Sequence, residues 1–119
     1  MRTGRRESSE PTCPFCKGQL KRPLEMRLNA MELVQGGRCD GCGALYIIDP
    51  TSKNLGEVMM QGLQLAADEL GRDLTTLVSG EDYEDEILSY DMKNHRSSGV
   101  PKSVMDGYGR LYILKILKK

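Results

Sequence analysis

Four cysteines stand in two matched pairs, CPFC over 13–16 and CDGC over 39–42, with 22 residues between the pairs. Thiolates are soft ligands, and a two-residue gap brings both sulfurs of a pair to one ion from a single tight turn. Cys13, Cys16, Cys39 and Cys42 can close a tetrahedron, the coordination of structural Zn2+. A catalytic zinc keeps one position open, and a four-cysteine set leaves none. The expected ion is therefore one structural Zn2+. Gly18 and Gly43 follow the pairs, where such turns need a positive φ or a close backbone approach. Amides in these turns can donate to the sulfurs and spread their charge. Other cysteine chemistries fit less well. Four thiols allow three disulfide pairings, but the stretch MRTGRRESSEP carries no signal-peptide pattern, which points to a cytoplasmic chain with reduced thiols. A thioredoxin-type motif needs only one C-x-x-C.

The remaining reactive residues read more plainly as structure. His95, the single histidine, sits among Lys93, Asn94 and Arg96 with no nucleophile motif nearby, and reads as a surface-loop residue. Ser97-Ser98-Gly99 lacks the lysine spacing of a phosphate-binding loop. Glu81, Asp82, Glu84, Asp85 and Glu86 read as the acidic first turn of a helix. The segment GYGRLYILKILKK interleaves Tyr108, Arg110 and Tyr112 with Lys115, and aromatics beside cations are what single-strand binding uses. With Lys17, Lys21 and Arg22 they are the candidate surface for nucleic acid or another partner; the favoured reading is a core strand whose polar residues face water. No catalytic residue is assigned and no enzyme is expected.

Charge argues against a dedicated nucleic-acid binder. The 119-residue chain has formal net charge +0. Residues 1–50 hold 8 basic and 6 acidic groups, residues 51–92 hold 2 and 10, and residues 93–119 hold 7 and 1. The acidic middle would repel a polyanion unless turned away, so a protein partner is preferred to nucleic acid. No stretch has the length and apolarity of a membrane span. With no Trp and a single Phe, the core has few large anchors, and a metal would compensate.

The elements that must position the cysteines follow from periodicity. Residues 1–11 are polar and read as a disordered leader. Leu24, Met26 and Leu28 alternate with polar residues as in a half-buried strand, and the apolar parity then changes to Met31 and Leu33, which places a turn near Asn29-Ala30. A helix through Leu24, Leu28 and Met31 is the competing reading. ALYIID, stopped by Pro50, is a third strand. Leu55, Val58, Met59, Gly62, Leu63, Ala66 and Leu70 mark one face of a helix, capped by Thr51 or Ser52 and closed by Gly71. Residues 72–93 read as a second helix, with Ser79 as its cap. Residues 94–107 are loop-like, and 108–117 read as a strand, although Leu111, Leu114 and Leu117 also recur at helical spacing.

CPFCKG, a hairpin-like segment and CDGCGALYIID together resemble the zinc-ribbon family, in which two cysteine knuckles sit at one end of a small antiparallel sheet. The resemblance covers residues 12–49 and implies that the four cysteines are the ligands. It also implies nucleic-acid or protein binding, through association with the fold rather than through this site. Rubredoxin-like proteins use two such knuckles with iron, but surround them with more aromatics than Phe15 and Tyr46. The expected architecture is α+β: a leader over 1–11, a three-stranded zinc ribbon over 12–50, and a region over 51–119 with two helices and a C-terminal strand. The expected function is a non-enzymatic zinc protein whose ribbon is a platform for protein recognition. The alternatives are nucleic-acid binding and an iron electron carrier.

Overall fold

The computed structural model describes residues 10–27, 33–51, 53–98 and 108–117. Its elements are β1 (Leu24–Arg27), β2 (Leu33–Arg38), β3 (Leu45–Asp49), α1 (Leu55–Leu70), a 3-10 turn (Leu74–Thr76), β4 (Tyr83–Asp91), β5 (Arg96–Ser98) and β6 (Tyr108–Ile116). The strands form one six-stranded antiparallel sheet in the order β1-β2-β3-β6-β4-β5.

The sheet is built around β3 and β6. Every residue of β3 is buried, as are Leu111 to Leu114 of β6. Strands covered on both faces need apolar side chains at every position, which is why ALYIID and LYIL read as unbroken runs. Pairing is Ile47 with Tyr112 and Ile48 with Leu111, so residues opposite each other share a face. Leu45, Ile47, Tyr112 and Leu114 face α1 and meet Val58 and Ala66. Tyr46, Ile48, Leu111 and Ile113 face the other way and meet Tyr90, Leu20, Cys13 and Cys39. The molecule is thus three layers: a helix, a sheet, and a layer made largely by the cysteine segments.

The helix is set by its ends and by one glycine. The carboxylate of Asp49, at the end of β3, accepts from the backbone N–H groups of Thr51 (3.2 Å) and Asn54 (2.8 Å). Asn54 is the N-cap residue and makes no side-chain cap bond, so the Asp49 carboxylate fixes the entry loop rather than the first turn; Thr51, an expected cap, accepts from the Lys53 N–H instead (3.1 Å), and Ser52 lies outside the described residues. Gly71 closes α1 in the left-handed region at φ 67, as the sequence predicts. Gly62 faces Tyr112, and a Cβ there would lie 2.9 Å from the ring, so its absence lets the helix approach the sheet.

The expected α+β arrangement needs correction. Residues 72–93 are not a second helix: they form the 3-10 turn and the nine-residue strand β4. The acidic residues that resembled a helix start are distributed otherwise. Asp82 is buried in the turn before β4, accepting from Arg72 (2.7 Å) and from the Val78 N–H (2.8 Å). Glu84, Asp85 and Glu86 alternate across β4. Pairing with β6 over nine residues, Tyr83 with Ile116 through Asp91 with Tyr108, outweighs the local helix signal. The three strands after the first cysteine pair do not form a ribbon standing apart, because β3 pairs along its other edge with β6. The C-terminal strand is central, between β3 and β4. The turn expected at Asn29-Ala30 lies outside the described residues, as does most of the leader, but Pro11 is buried and its carbonyl accepts from the Leu20 N–H at 3.0 Å. Leu33, expected to be buried with Met31, is 52% exposed, and Val34 turns toward the α1 face instead. No helix among the described residues is long and apolar enough to cross a membrane.

Candidate metal centre

The two cysteine turns repeat each other with an offset of 26 residues. In the first, the Cys13 N–H donates to the Gly18 carbonyl (2.7 Å) and the Lys17 N–H to the Cys13 carbonyl (2.9 Å). In the second, the Cys39 N–H donates to the Ala44 carbonyl (2.8 Å) and the Gly43 N–H to the Cys39 carbonyl (2.8 Å). The sulfurs receive amide donors at matching places. Phe15 N–H reaches Cys13 Sγ and Gly18 N–H reaches Cys16 Sγ, both at 3.4 Å. The Gly41 amide serves Cys39 and the Ala44 amide serves Cys42. The repeat also corrects one glycine. Gly43 takes the positive φ of 80, but its equivalent is Lys17 at φ 68, not Gly18. A Cβ at Gly18 would sit 3.4 Å from Cys16 Sγ, an ordinary contact, so neither φ nor crowding requires glycine there, and its equivalent is Ala44.

The four sulfurs converge. All lie within 4.8 Å of one another, with Cys16 to Cys39 at 3.4 Å and Cys13 to Cys42 at 3.6 Å. A tetrahedron with metal–sulfur bonds of about 2.3 Å has sulfurs about 3.8 Å apart, so the donor set fits one soft divalent cation. Burial pushes the Cys42 thiol up to about 12 and raises that of Cys39, while the Gly18 amide draws Cys16 down to about 7. A cation bound here would take all four as thiolates and so would release protons on binding.

Tertiary side chains that no local pattern revealed hold the first turn against the sheet. Tyr46 donates its hydroxyl to the Lys21 carbonyl (3.0 Å). His95 Nε2 lies 2.9 Å from the Leu20 carbonyl, which can only accept, so Nε2 carries the proton. Nδ1 lies 2.6 Å from the Tyr90 hydroxyl, so the ring bridges Tyr90 and the first turn. Arg22 donates to the carbonyls of Met92 (2.8 Å) and Lys93 (3.4 Å). His95 is thus a half-buried strut at φ 56 rather than a surface-loop residue. The only sequence hint was its isolation; its partners are 5 and 75 residues away.

The other candidate surface residues are dispersed. Tyr112 is 1% exposed and donates to the Asp85 carboxylate (2.8 Å), so it is a core residue and offers no ring for stacking. Arg110 donates to Ser89 Oγ and the Gly109 carbonyl, and Tyr108 is half-buried at the start of β6. Lys115 lies on the opposite strand face, paired in register with Glu84. Lys17 is exposed in the first turn, and Lys21 pairs with Asp40 of the second (3.1 Å). Comparison of the chain with protein-family models, with curated proteins and with solved structures finds no match to any of them.

Proposed function

We propose that the protein binds one structural Zn2+ through Cys13, Cys16, Cys39 and Cys42, in two knuckles of zinc-ribbon type. The non-enzymatic sheet that this centre secures then serves as a platform for recognising a protein partner. The observation that carries the metal reading is the convergence of four sulfurs from two turns with the same hydrogen-bond pattern. Zinc suits a closed four-thiolate set. Two observations support a protein partner over nucleic acid. Leu24 and Leu33 are 71% and 52% exposed on the outer hairpin, and Met60 is 54% exposed on α1. The cationic and aromatic residues that would bind a polyanion are divided between the two strand faces, and Tyr112 is enclosed.

Elemental analysis of the freshly purified protein tests the first part: one zinc per chain is expected, iron would replace zinc by the electron-carrier reading, and absence of metal would sink both. The second part is tested with Leu24→Glu and Leu33→Glu. Each should weaken association with a co-purifying protein while circular dichroism stays unchanged. Salt-sensitive binding to short single- or double-stranded nucleic acid, unaffected by these changes, would decide for the other partner class.

A further inference from the structure

The two knuckles share a backbone pattern, yet their cysteines are not equally covered. Cys13 and Cys39, the first of each turn, are buried; Cys42 is intermediate and Cys16 is the exposed residue of the four. The repeat shows the cause. Phe15 and Gly41 are equivalent positions, each supplying the amide two residues after the first cysteine of its turn. A Cβ at Gly41 would lie 2.9 Å from Cys16 Sγ. The residue at this position therefore stands over the second ligand of the opposite turn. Gly41 leaves Cys16 uncovered, whereas Phe15 carries a ring and packs with Cys42 against the same buried cluster. Gly18 leaves a further flank of Cys16 open, where the second turn has the side chain of Ala44. Cys16 Sγ also has a partner at hand, since Cys39 Sγ is 3.4 Å away on the other turn.

We propose that Cys16 is a modification site for hydrogen peroxide, and that its oxidation closes a Cys16–Cys39 disulfide that dismantles the metal centre. This rests on the metal reading above. The Cys16 thiolate attacks one peroxide oxygen and the O–O bond breaks. The sulfur becomes a sulfenic acid and hydroxide leaves. The Cys39 thiolate then attacks the Cys16 sulfur, the S–S bond forms, the S–O bond breaks, and a second hydroxide leaves. Two thiolates lose two electrons, the peroxide gains them, and two protons convert the hydroxides to water. The site keeps two of its four ligands and releases the cation. Because the two sulfurs belong to different knuckles, the disulfide joins the turns across the site rather than within one C-x-x-C.

The test treats zinc-loaded protein with substoichiometric hydrogen peroxide, blocks remaining thiols and maps the peptides, while a chromophoric chelator reports free zinc. The first disulfide should be Cys16–Cys39, and zinc release should follow it in step. A first disulfide within one turn, or zinc release with Cys16 unmodified, would overturn the proposal. Phe15→Ala is the second arm. It should bring the alkylation rate of Cys42 from roughly tenfold below that of Cys16 to about parity, because reactivity follows access. An unchanged preference would overturn the argument from cover. If the isolated chain holds no metal, the metal reading fails by itself. The alkylation order of the metal-free thiols then still decides the Cys16 claim: Cys16 first supports it, and Cys42 first refutes it.

Discussion

The two faces of the sheet are closed by different means. On one, α1 lays Val58 and Ala66 against Tyr112 and Leu114, with Gly62 permitting close contact. On the other, the cover consists of irregular chain, with Leu20, Cys13 and Cys39 over Tyr46, Ile48 and Ile113. A helix satisfies its own backbone and can be held by apolar contact alone. Irregular chain cannot, so its carbonyls at Leu20, Lys21, Met92 and Lys93 are taken by His95, Tyr46 and Arg22. With a metal bound, the four sulfurs would add a tie between the two turns, beside the apolar packing of that face and the Lys21–Asp40 pair.

Metal removal is the strongest way to break this comparison. Structural zinc in small domains contributes on the order of 10 kcal/mol, comparable to the whole stability of a domain. A strong chelator should therefore abolish the fold, the helix included, because β3 and β6 supply side chains to both faces. Far-UV circular dichroism during chelation reads this. Helical signal that survives would show that the α1 face stands without the metal face.

The same contrast explains what the sequence disclosed. The cysteine cluster was legible because C-x2-C is a local pattern, and both turns are closed by bonds within six residues. The helix was legible because its stripe and Gly71 are local too. β4 was not: EDYEDEILSYD carries a helix-like acidic start, and only β6, arriving from residues 108–116, makes it a strand. The central place of β6 could not be read from a run that would suit an edge equally well. Tyr112 looked available for stacking because Tyr108, Arg110 and Tyr112 share a strand face; that α1 covers the far end of that face is a tertiary fact. Lys17 was missed because a positive φ is expected at glycine, and Gly18 stands next to it.

Neighbouring residues of β6 permit a sharper test. Ile113 is 0% exposed toward the cysteine layer and Leu114 is 2% exposed toward α1. Ile113→Ala and Leu114→Ala should each cost about 2–5 kcal/mol in denaturant unfolding of the zinc-loaded protein. Because chelation is expected to unfold the whole domain, each loss should reappear as weaker apparent zinc affinity in competition with a chelator, for Leu114→Ala as for Ile113→Ala. Loss of affinity for Ile113→Ala alone would mean that the α1 face folds without the cysteine face.

Alkaline pH addresses both faces at once. Burial pushes the Tyr90 hydroxyl up to about 12 on the metal face; on the α1 face, burial and then the Asp85 carboxylate raise that of Tyr112. The unfolded value is about 10, so their contribution is whole below pH 10 and declines as pH rises through the folded values. Each unit of difference is worth about 1.4 kcal/mol per tyrosine. Stability should fall above pH 10, with tyrosinate absorbance from these residues appearing together with unfolding. Ionisation well before unfolding would contradict their enclosure.

The smallest effect concerns two turns with nearly the same backbone angle. Gly71 ends α1 at φ 67, and Lys17 stands in the first knuckle at φ 68. A side chain in this region costs roughly 1 kcal/mol, which glycine avoids. Gly71→Ala should therefore destabilise by about 1 kcal/mol, because a Cβ there meets no neighbour and the cost is conformational. Lys17→Gly has two opposed terms: relief of the left-handed strain, and the extra freedom glycine gives the unfolded chain. The strain is the larger for a residue without a local hydrogen-bonding side chain, so a gain of up to about 1 kcal/mol is expected. It should appear in the zinc-loaded protein, where the Lys17 N–H is held at 2.9 Å from the Cys13 carbonyl. A loss on Lys17→Gly would mean that the exposed lysine stem contributes to the first knuckle by covering it, and that the two knuckles are less alike than their backbones.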